Sequence, residues 1–180
     1  SVTVSAIGHL RGYGLALDAT TSTLYRSALL DFTSWTTGTD FAQRSAREDP
    51  WIGMKVAGDL IYLFGTSTSE AWVFADTSFP FAPFPGGDLP YGIGAAASVV
   101  EVKGTLLWLS DTRLVMRAQG STAVPISTRA VDYALSRYAS VSDAQGWTYQ
   151  DQGHEFYLLN LPSANATWVS RHRGEITRIE

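Results

Sequence analysis

Short apolar runs, separated by polar turns that contain glycine, recur along the chain at a nearly constant interval. Clear copies lie at 56–65, 102–110 and 152–159, and a more ragged copy lies at 11–17. Runs of β-branched, aromatic and aliphatic residues between turn signals are typical of strands. Each copy therefore predicts a β-hairpin whose second strand carries one bulky apolar side chain. These side chains are Tyr25, Trp72, Met116 and Trp168.

A glycine stands at the start of each copy. Gly12, Gly58, Gly104 and Gly153 are separated by 46, 46 and 49 residues. Glycine adopts positive φ without a steric penalty, which suits a tight turn before a strand. Hairpins repeating at this interval indicate propeller blades, which are usually four-stranded antiparallel sheets. We predict an all-β fold of propeller-type repeats of about 46 residues. A β-sandwich with similar hairpins is the alternative.

One segment has helical rather than strand periodicity. Residues 127–138 place Val131, Leu135 and Tyr138 on one face of a helix. Ser127 or Thr128 can serve as the N-cap. The sequence therefore predicts one short helix near 127–138.

The connector at 76–94 is rich in proline and glycine and contains three phenylalanines, Phe79, Phe81 and Phe84. This composition predicts an ordered apolar loop rather than a flexible linker. The loop either caps its own blade or presses into a neighbouring subunit. We therefore take the three phenylalanines as candidate interface residues.

The tryptophans divide into two groups by position. Trp72, Trp108, Trp147 and Trp168 fall on or beside repeat strands, and we expect them to pack in the core. We expect Gly58 and Gly104 to belong to the structural core as well. In contrast, Trp35 and Trp51 lie in or near the first connector between repeats. We add these two tryptophans to the candidate interface residues.

No arrangement of residues in the sequence predicts catalysis, a metal site or a cofactor site. The chain has no cysteine, and its three histidines lack the spacing of a zinc site. It has no Gly-x-Ser-x-Gly motif. The net charge of −4 and the pI of about 5.3 do not suit a general nucleic-acid binder. No apolar run approaches the roughly 20 residues that span a bilayer.

The chain length fits one domain. We expect residues 1–180 to form a single β-repeat domain. Because the chain begins with Ser1 and the first copy is ragged, we also expect it to be a portion of a longer protein.

Several segments at these motifs resemble a known family, the packaged-DNA stabilisation proteins of short-tailed bacteriophages, which form the tail hub or nozzle. The similar segments occur in the family's order across most of residues 30–170. They include 50–53, 60–65 with 69–72, 79–81, 91–97, 106–109, 126–128 with 134–136, and 165–168. The family's members are longer than this chain.

The resemblance implies a virion structural protein of the tail, assembled in the host cytoplasm. It implies a ring of copies that closes the portal, retains packaged DNA and contacts portal or adaptor and tail needle or fibre proteins. DNA would pass nearby without specific binding, and no membrane is involved. The resemblance brings no catalytic residue or cofactor, so we expect no enzyme activity. A carbohydrate-binding or host-recognition propeller and a glycan-active enzyme are the alternatives.

Overall fold

The computed structural model describes residues 2–44, 48–171 and 176–179. Over these residues the chain forms seventeen strands in four antiparallel sheets, together with one α-helix. The all-β prediction with one short helix is confirmed. The chain divides into two compact units, residues 1–90 and 91–180, each containing two sheets. That residues 1–180 form a single domain stays a prediction.

The first unit contains sheets 1 and 2. Within each sheet, strands follow one another in chain order, as in a meander. The fourth position of sheet 1 is shared, because β4 and β5 pair with different parts of β3. Sheet 1 consists of β1 (Ala6–Leu10), β2 (Tyr13–Asp18), β3 (Thr23–Ala28), β4 (Asp31–Trp35) and β5 (Phe41–Gln43). Sheet 2 consists of β6 (Trp51–Ala57), β7 (Leu60–Gly65), β8 (Ser69–Phe74) and β9 (Phe81–Leu89).

The second unit contains sheets 3 and 4, which are meanders as well. Sheet 3 consists of β10 (Val100–Val102), β11 (Thr105–Leu109), β12 (Val115–Gln119) and β13 (Thr122–Pro125). The helix α1 (Arg129–Ser136) follows, and sheet 4 consists of β14 (Gln145–Asp151), β15 (His154–Leu161), β16 (Ala166–Arg171) and β17 (Ile176–Ile179). The helix lies within the predicted segment.

The turn between the first and second strands has two residues in every sheet. In sheets 1, 3 and 4 both residues have positive φ, the type I′ pattern, and Gly12, Gly104 and Gly153 occupy the second position. This turn matches the right-handed twist of the strands that it joins. The repeated glycine signal therefore arises from a local backbone requirement.

Gly58 differs from the other three anchor glycines. It occupies the first turn position with φ 58°, and Asp59 follows it without a positive φ, which is the type II′ pattern. The residue equivalent to Gly12 is therefore Asp59, so the structural spacings are 47, 45 and 49 residues. The first three glycines are evenly spaced in the sequence, but at this turn the spacing of glycines differs by one residue from the spacing of structurally equivalent positions.

The core of the first unit lies between the facing sides of sheets 1 and 2. Leu15, Leu17 and Leu24 from sheet 1 pack with Ile61 and Leu63 from sheet 2. In the second unit, sheet 3, the helix and sheet 4 contribute side chains to one core. That core includes Leu107, Leu109, Val131, Leu135, Tyr157, Leu159 and Trp168.

A close backbone approach fixes the packing of the second unit. A Cβ atom on Gly146 in β14 would lie 2.5 Å from the carbonyl oxygen of Ser98. Ser98 is fully buried and precedes β10. Its carbonyl oxygen accepts a hydrogen bond of 2.9 Å from the Tyr157 hydroxyl, whose pKa is raised by burial. Glycine at position 146 is therefore required by space rather than by φ.

Nine residues of the proline-rich connector form a strand rather than a loop. Residues 81–89 form β9, which pairs with β8 across a register shift between Glu70 and Trp72. Among the described strands, β9 pairs with β8 alone and is an edge strand, so proline on it removes no ladder hydrogen bond from a central strand. The expectation of a loop over 76–94 is wrong for these nine residues.

No helix in the described part of the chain is both long enough and apolar enough to cross a membrane.

Candidate interaction surfaces

The three connector phenylalanines occupy different environments. Phe81 is 2% exposed and belongs to the core of the first unit, with its ring edge-on to Tyr13 at 5.8 Å. Phe79 is half-buried and packs against the same core. Among these three residues, Phe84 exposes its side chain substantially. The interface prediction is therefore corrected for Phe81, because strand pairing turns its ring inward. For Phe84 it stays a prediction.

The two connector tryptophans also differ. Trp51 is fully buried, and its ring meets that of Trp72 edge-on at a centroid distance of 5.4 Å. An interface role for Trp51 is therefore wrong, since β6 begins at this residue and places its side chain in the core. Trp35 is more than one-third exposed, and its indole N–H donates to the Phe32 carbonyl oxygen at 2.8 Å. Trp35 remains a candidate.

Of the four tryptophans expected in the core, Trp147 is 49% exposed, so the expectation is wrong for that residue. The other three are buried, but their polar atoms differ. The Trp72 indole N–H donates to Glu70 at 2.9 Å, and that of Trp108 donates to the Gly92 carbonyl oxygen at 3.3 Å. In the described structure the buried Trp168 Nε1 has no hydrogen-bond partner. Gly58 and Gly104 lie in turns rather than in the packed core, and a Cβ atom at either would meet open space.

A buried ionic network that the sequence did not reveal lies at one end of sheet 2. The Arg44 side chain is 2% exposed, and its Nε donates to Glu70 at 2.7 Å. Its Nη2 donates to Thr68 at 2.8 Å, and its Nη1 donates to the Asp49 backbone oxygen. A Cβ atom on Gly65 would overlap this group. The partners of Arg44 lie 5 to 26 positions away along the chain, so no short sequence motif indicates this network.

Asp49 accepts hydrogen bonds from the whole turn between β7 and β8. Its carboxylate oxygens accept hydrogen bonds from the backbone N–H groups of Thr66, Ser67 and Thr68, with N···O distances of 2.8 to 3.0 Å. They also accept from the hydroxyls of Thr66 and Thr68. Desolvation raises the pKa of Asp49, but these hydrogen bonds outweigh it and hold the pKa well below its usual range. The carboxylate therefore fixes this turn against the segment that leads into β6.

Every sheet has such a carboxylate clamp, by which we mean an aspartate that ties the turn after the second strand to the segment before the first. In sheet 4, Asp143 precedes β14 and accepts from the backbone N–H of Ser163 at 2.7 Å. In sheets 1 and 3 the direction is reversed, because the aspartate is at the turn. Asp18 accepts from Thr3 at 3.1 Å, and Asp111 accepts from Gly92 at 2.9 Å.

The clamps hold turns in place, and their aspartates are not grouped with other metal-ligating side chains in the described residues. No group of three or more histidine, cysteine, aspartate or glutamate side chains in the described ranges could hold a metal ion. His172 lies outside these ranges. What the structure offers instead is exposed apolar side chains on the first and last sheets, including Ile7, Phe32, Trp147 and Tyr149.

Antiparallel meander sheets at intervals of about 46 residues, each opened by a two-residue turn, define a propeller-type β protein. The chain belongs to the phage-stabilisation family described as bacteriophage P22 Gp10, β-propeller, whose family model matches residues 2–176. This is a family of phage structural proteins and not of enzymes. The chain is therefore a structural component of a phage virion.

Solved structures with low sequence identity share the fold of this chain. The chain is similar to the AfRom2 CNH domain at 15% identity and a TM-score of 0.54, with 98% of this chain and 58% of that domain covered. The chain thus spans little more than half of that domain. A putative exported protein from Bacteroides fragilis matches at 10% identity, a TM-score of 0.35 and coverages of 99% and 71%. KlHsv2 with loop 6CD replaced by a Gly-Ser linker matches at 7% identity and a TM-score of 0.39, with 100% of this chain and 71% of that chain covered. No curated protein matches the sequence.

Proposed function

We propose that this protein is part of the tail hub, or nozzle, through which a short-tailed phage retains and then ejects its DNA. The observation that carries the proposal is the family match over residues 2–176. In this role, copies of the protein surround the DNA path below the portal. They contact the portal or adaptor on one side and the tail needle or fibres on the other.

The construction of the sheets supports a mechanical role. Each sheet is a hydrogen-bonded meander, and a carboxylate clamp ties the turn after its second strand to the segment before its first. Arg44 adds a buried ionic contact within the first unit. Buried ionic groups with satisfied hydrogen bonds hold a specific geometry even where they add little net stability. Such sheets suit a part that must keep its shape under load.

The charge of the chain supports passage of DNA rather than binding. With a net charge of −4 and a pI of about 5.3, the chain lacks the cationic excess that neutralises phosphates. A weakly acidic surface along a DNA path lowers nonspecific affinity for the duplex.

The proposal is tested in a phage that encodes this protein. Particles made without it should lose their packaged DNA, measured as nuclease-protected genome copies per particle. Expression of the parent gene in trans should restore retention, and so should a Tyr133→Ser gene, because Tyr133 is exposed on the helix. Particles that keep their DNA but fail to adsorb to the host would overturn the hub role and favour host recognition.

A further inference from the structure

The first strand of sheet 4, β14, has an open edge. It pairs with β15 on one side, and no described strand pairs with its other side. Six of its seven residues are exposed, and Gly146 is half-buried. In contrast, four of the seven residues of β6 are buried, and β10 has three residues in all. The free edge of β14 is therefore both long and accessible.

The register of the β14–β15 hairpin determines which backbone groups face this edge. The two-residue turn closes on Asp151 and His154, and this pair exchanges both of its backbone hydrogen bonds. Hydrogen bonding to a neighbouring strand alternates along an antiparallel strand, so Thr148 and Gln150 direct their N–H and C=O groups away from β15. No described residue forms a hydrogen bond with these backbone groups. They are free to pair with an added strand.

Other sheet edges carry features that prevent strand pairing. Strand β9 contains Pro83 and Pro85, and β6 contains Lys55 and a register shift. In β13, the register from the Gln119–Thr122 pair places the Pro125 nitrogen toward the free edge. Over its seven residues β14 has no proline, lysine or register shift, and its one charged residue lies at its end. An exposed edge without such protection is a site for strand addition.

The side chains of the hairpin define the segment that fits this edge. Trp147 and Tyr149 lie on the outer face of β14, and both are about half exposed. Tyr149 stacks on Phe156 with ring centroids 4.8 Å apart and an interplanar angle of 13°, which holds its ring in place. Apolar side chains at alternate positions of an added strand would lie beside these two rings. At the turn end, Asp151 and Glu155 supply two carboxylates that suit a lysine or arginine.

We propose that the free edge of β14 binds an extended segment of a partner virion protein as a fifth strand of sheet 4. The segment has apolar residues at alternate positions and a basic residue beside the turn end of the hairpin. A second copy of β14 does not fit this description, because residues 145–151 contain no lysine or arginine. The proposal rests on the proposed function, under which the partner is a portal, adaptor, needle or fibre protein.

The test uses the purified 180-residue chain and overlapping synthetic peptides that cover the portal, adaptor, needle and fibre proteins of the same phage. Binding is measured by fluorescence polarisation. We expect at least one peptide with the stated pattern to bind the parent chain. The amide protons of Thr148 and Gln150 should exchange rapidly in the free chain and become protected when that peptide binds. The Tyr149 amide, which bonds to β15, should be protected in both states.

Methylated peptides distinguish strand addition from docking through side chains alone. When alternate amide nitrogens of the bound peptide are methylated, one set of methyl groups faces β14 and the other set faces away from it. The set that faces β14 should weaken binding at least about tenfold, because each methyl group removes an N–H donor. The other set should leave binding nearly unchanged. An equal effect of both sets would overturn the proposal.

A proline variant tests the edge from the side of the protein. Thr148→Pro removes an N–H group that faces the free edge and no hydrogen bond of the β14–β15 ladder, so it should weaken binding at least about tenfold. The matched control is Ala123→Pro, which makes the same change at the free edge of β13 and should bind like the parent chain. Circular dichroism and the melting temperature check folding. If Thr148→Pro is unfolded, the methylated peptides and the amide exchange decide.

Three results would overturn the proposal. They are a parent chain that binds none of the peptides, binding that a folded Thr148→Pro variant retains, and self-association of the parent chain that Thr148→Pro abolishes. The last result would assign the edge to a second copy. The DNA-retention experiment does not depend on the peptides. Particles that lose their DNA without the protein, combined with a chain that binds no peptide, would reject the strand site and keep the hub role.

Discussion

The two buried tryptophans Trp72 and Trp168 permit a matched test of the hydrogen bonds in the cores. Both are 6–7% exposed, and each lies in the core of a different unit. The Trp72 indole N–H donates to the buried carboxylate of Glu70, whereas the Trp168 indole N–H has no partner among the described residues. Replacement of each by phenylalanine removes a similar amount of apolar surface but different polar contacts.

The expected difference follows from these contacts. Trp72→Phe leaves Glu70 with Arg44 Nε as its remaining described charged donor, at 2.7 Å. Hydrogen bonds to charged groups contribute about 1.5–3 kcal/mol. Trp168→Phe instead removes a buried N–H that was already unsatisfied, which offsets part of the lost packing. We therefore expect Trp72→Phe to destabilise its unit by about 1.5–3 kcal/mol more than Trp168→Phe destabilises its own.

Urea unfolding measures this difference. Each variant is compared with the parent chain by the midpoint and slope of the transition, followed by far-ultraviolet circular dichroism and tryptophan fluorescence. If the two units unfold separately, the transition of the substituted unit is used. Equal costs for the two substitutions, or a larger cost for Trp168→Phe, would refute the role assigned to the bond between Trp72 and Glu70.

Three further predictions concern the turns, the clamps and the helix. Gly104→Ala should cost about 1–2 kcal/mol, from backbone conformation alone, because its Cβ meets open space. Gly146→Ala should cost more in the same unfolding assay, and equal costs would contradict the close approach at Ser98. Because the pKa of Asp49 is depressed in the folded state, the unfolded state binds more protons below about pH 4, and the free energy of unfolding falls as pH falls through that range. Asp49→Asn should flatten the acid limb of the curve of stability against pH. An unchanged acid limb would contradict the role assigned to the Asp49 carboxylate. Arg113 donates to the backbone oxygens of Leu135 and Ser136, the last two residues of the helix, and of Tyr138 just beyond it. Arg113→Met should therefore raise amide hydrogen exchange in α1, whereas the exposed control Arg137→Met should not.

Features fixed by local backbone chemistry were predictable from the sequence. Two-residue turns with glycine, strand-sized apolar runs and the helical spacing of Val131 and Leu135 each depend on a few neighbouring residues. The antiparallel pairing of the strands in each hairpin followed from them. The one-residue shift at Gly58 was not visible, since type I′ and type II′ turns place glycine differently while the strands look alike.

The candidate surface was harder to predict, because exposure depends on contacts distant in sequence. Trp35 and Trp51 lie on either side of the same connector, yet Trp51 packs on Trp72 and Trp35 lies over Gly14 in the open. Nothing within a short window distinguishes the two tryptophans. The exposure of Ile7 and Leu30 was not predictable for a similar reason, since isolated apolar residues in strands and turns are ordinary in any sequence.

The carboxylate clamps show how one geometric requirement can be met without a repeated sequence motif. An antiparallel meander brings the segment before its first strand to the same end as the turn after its second strand. Either side can then supply the acceptor, and the other side supplies backbone N–H groups, which every residue except proline has. Asp49 and Asp143 supply it from the leading segment, and Asp18 and Asp111 supply it from the turn. The repeat therefore constrains where a carboxylate must lie in space and leaves open which position along the chain carries it.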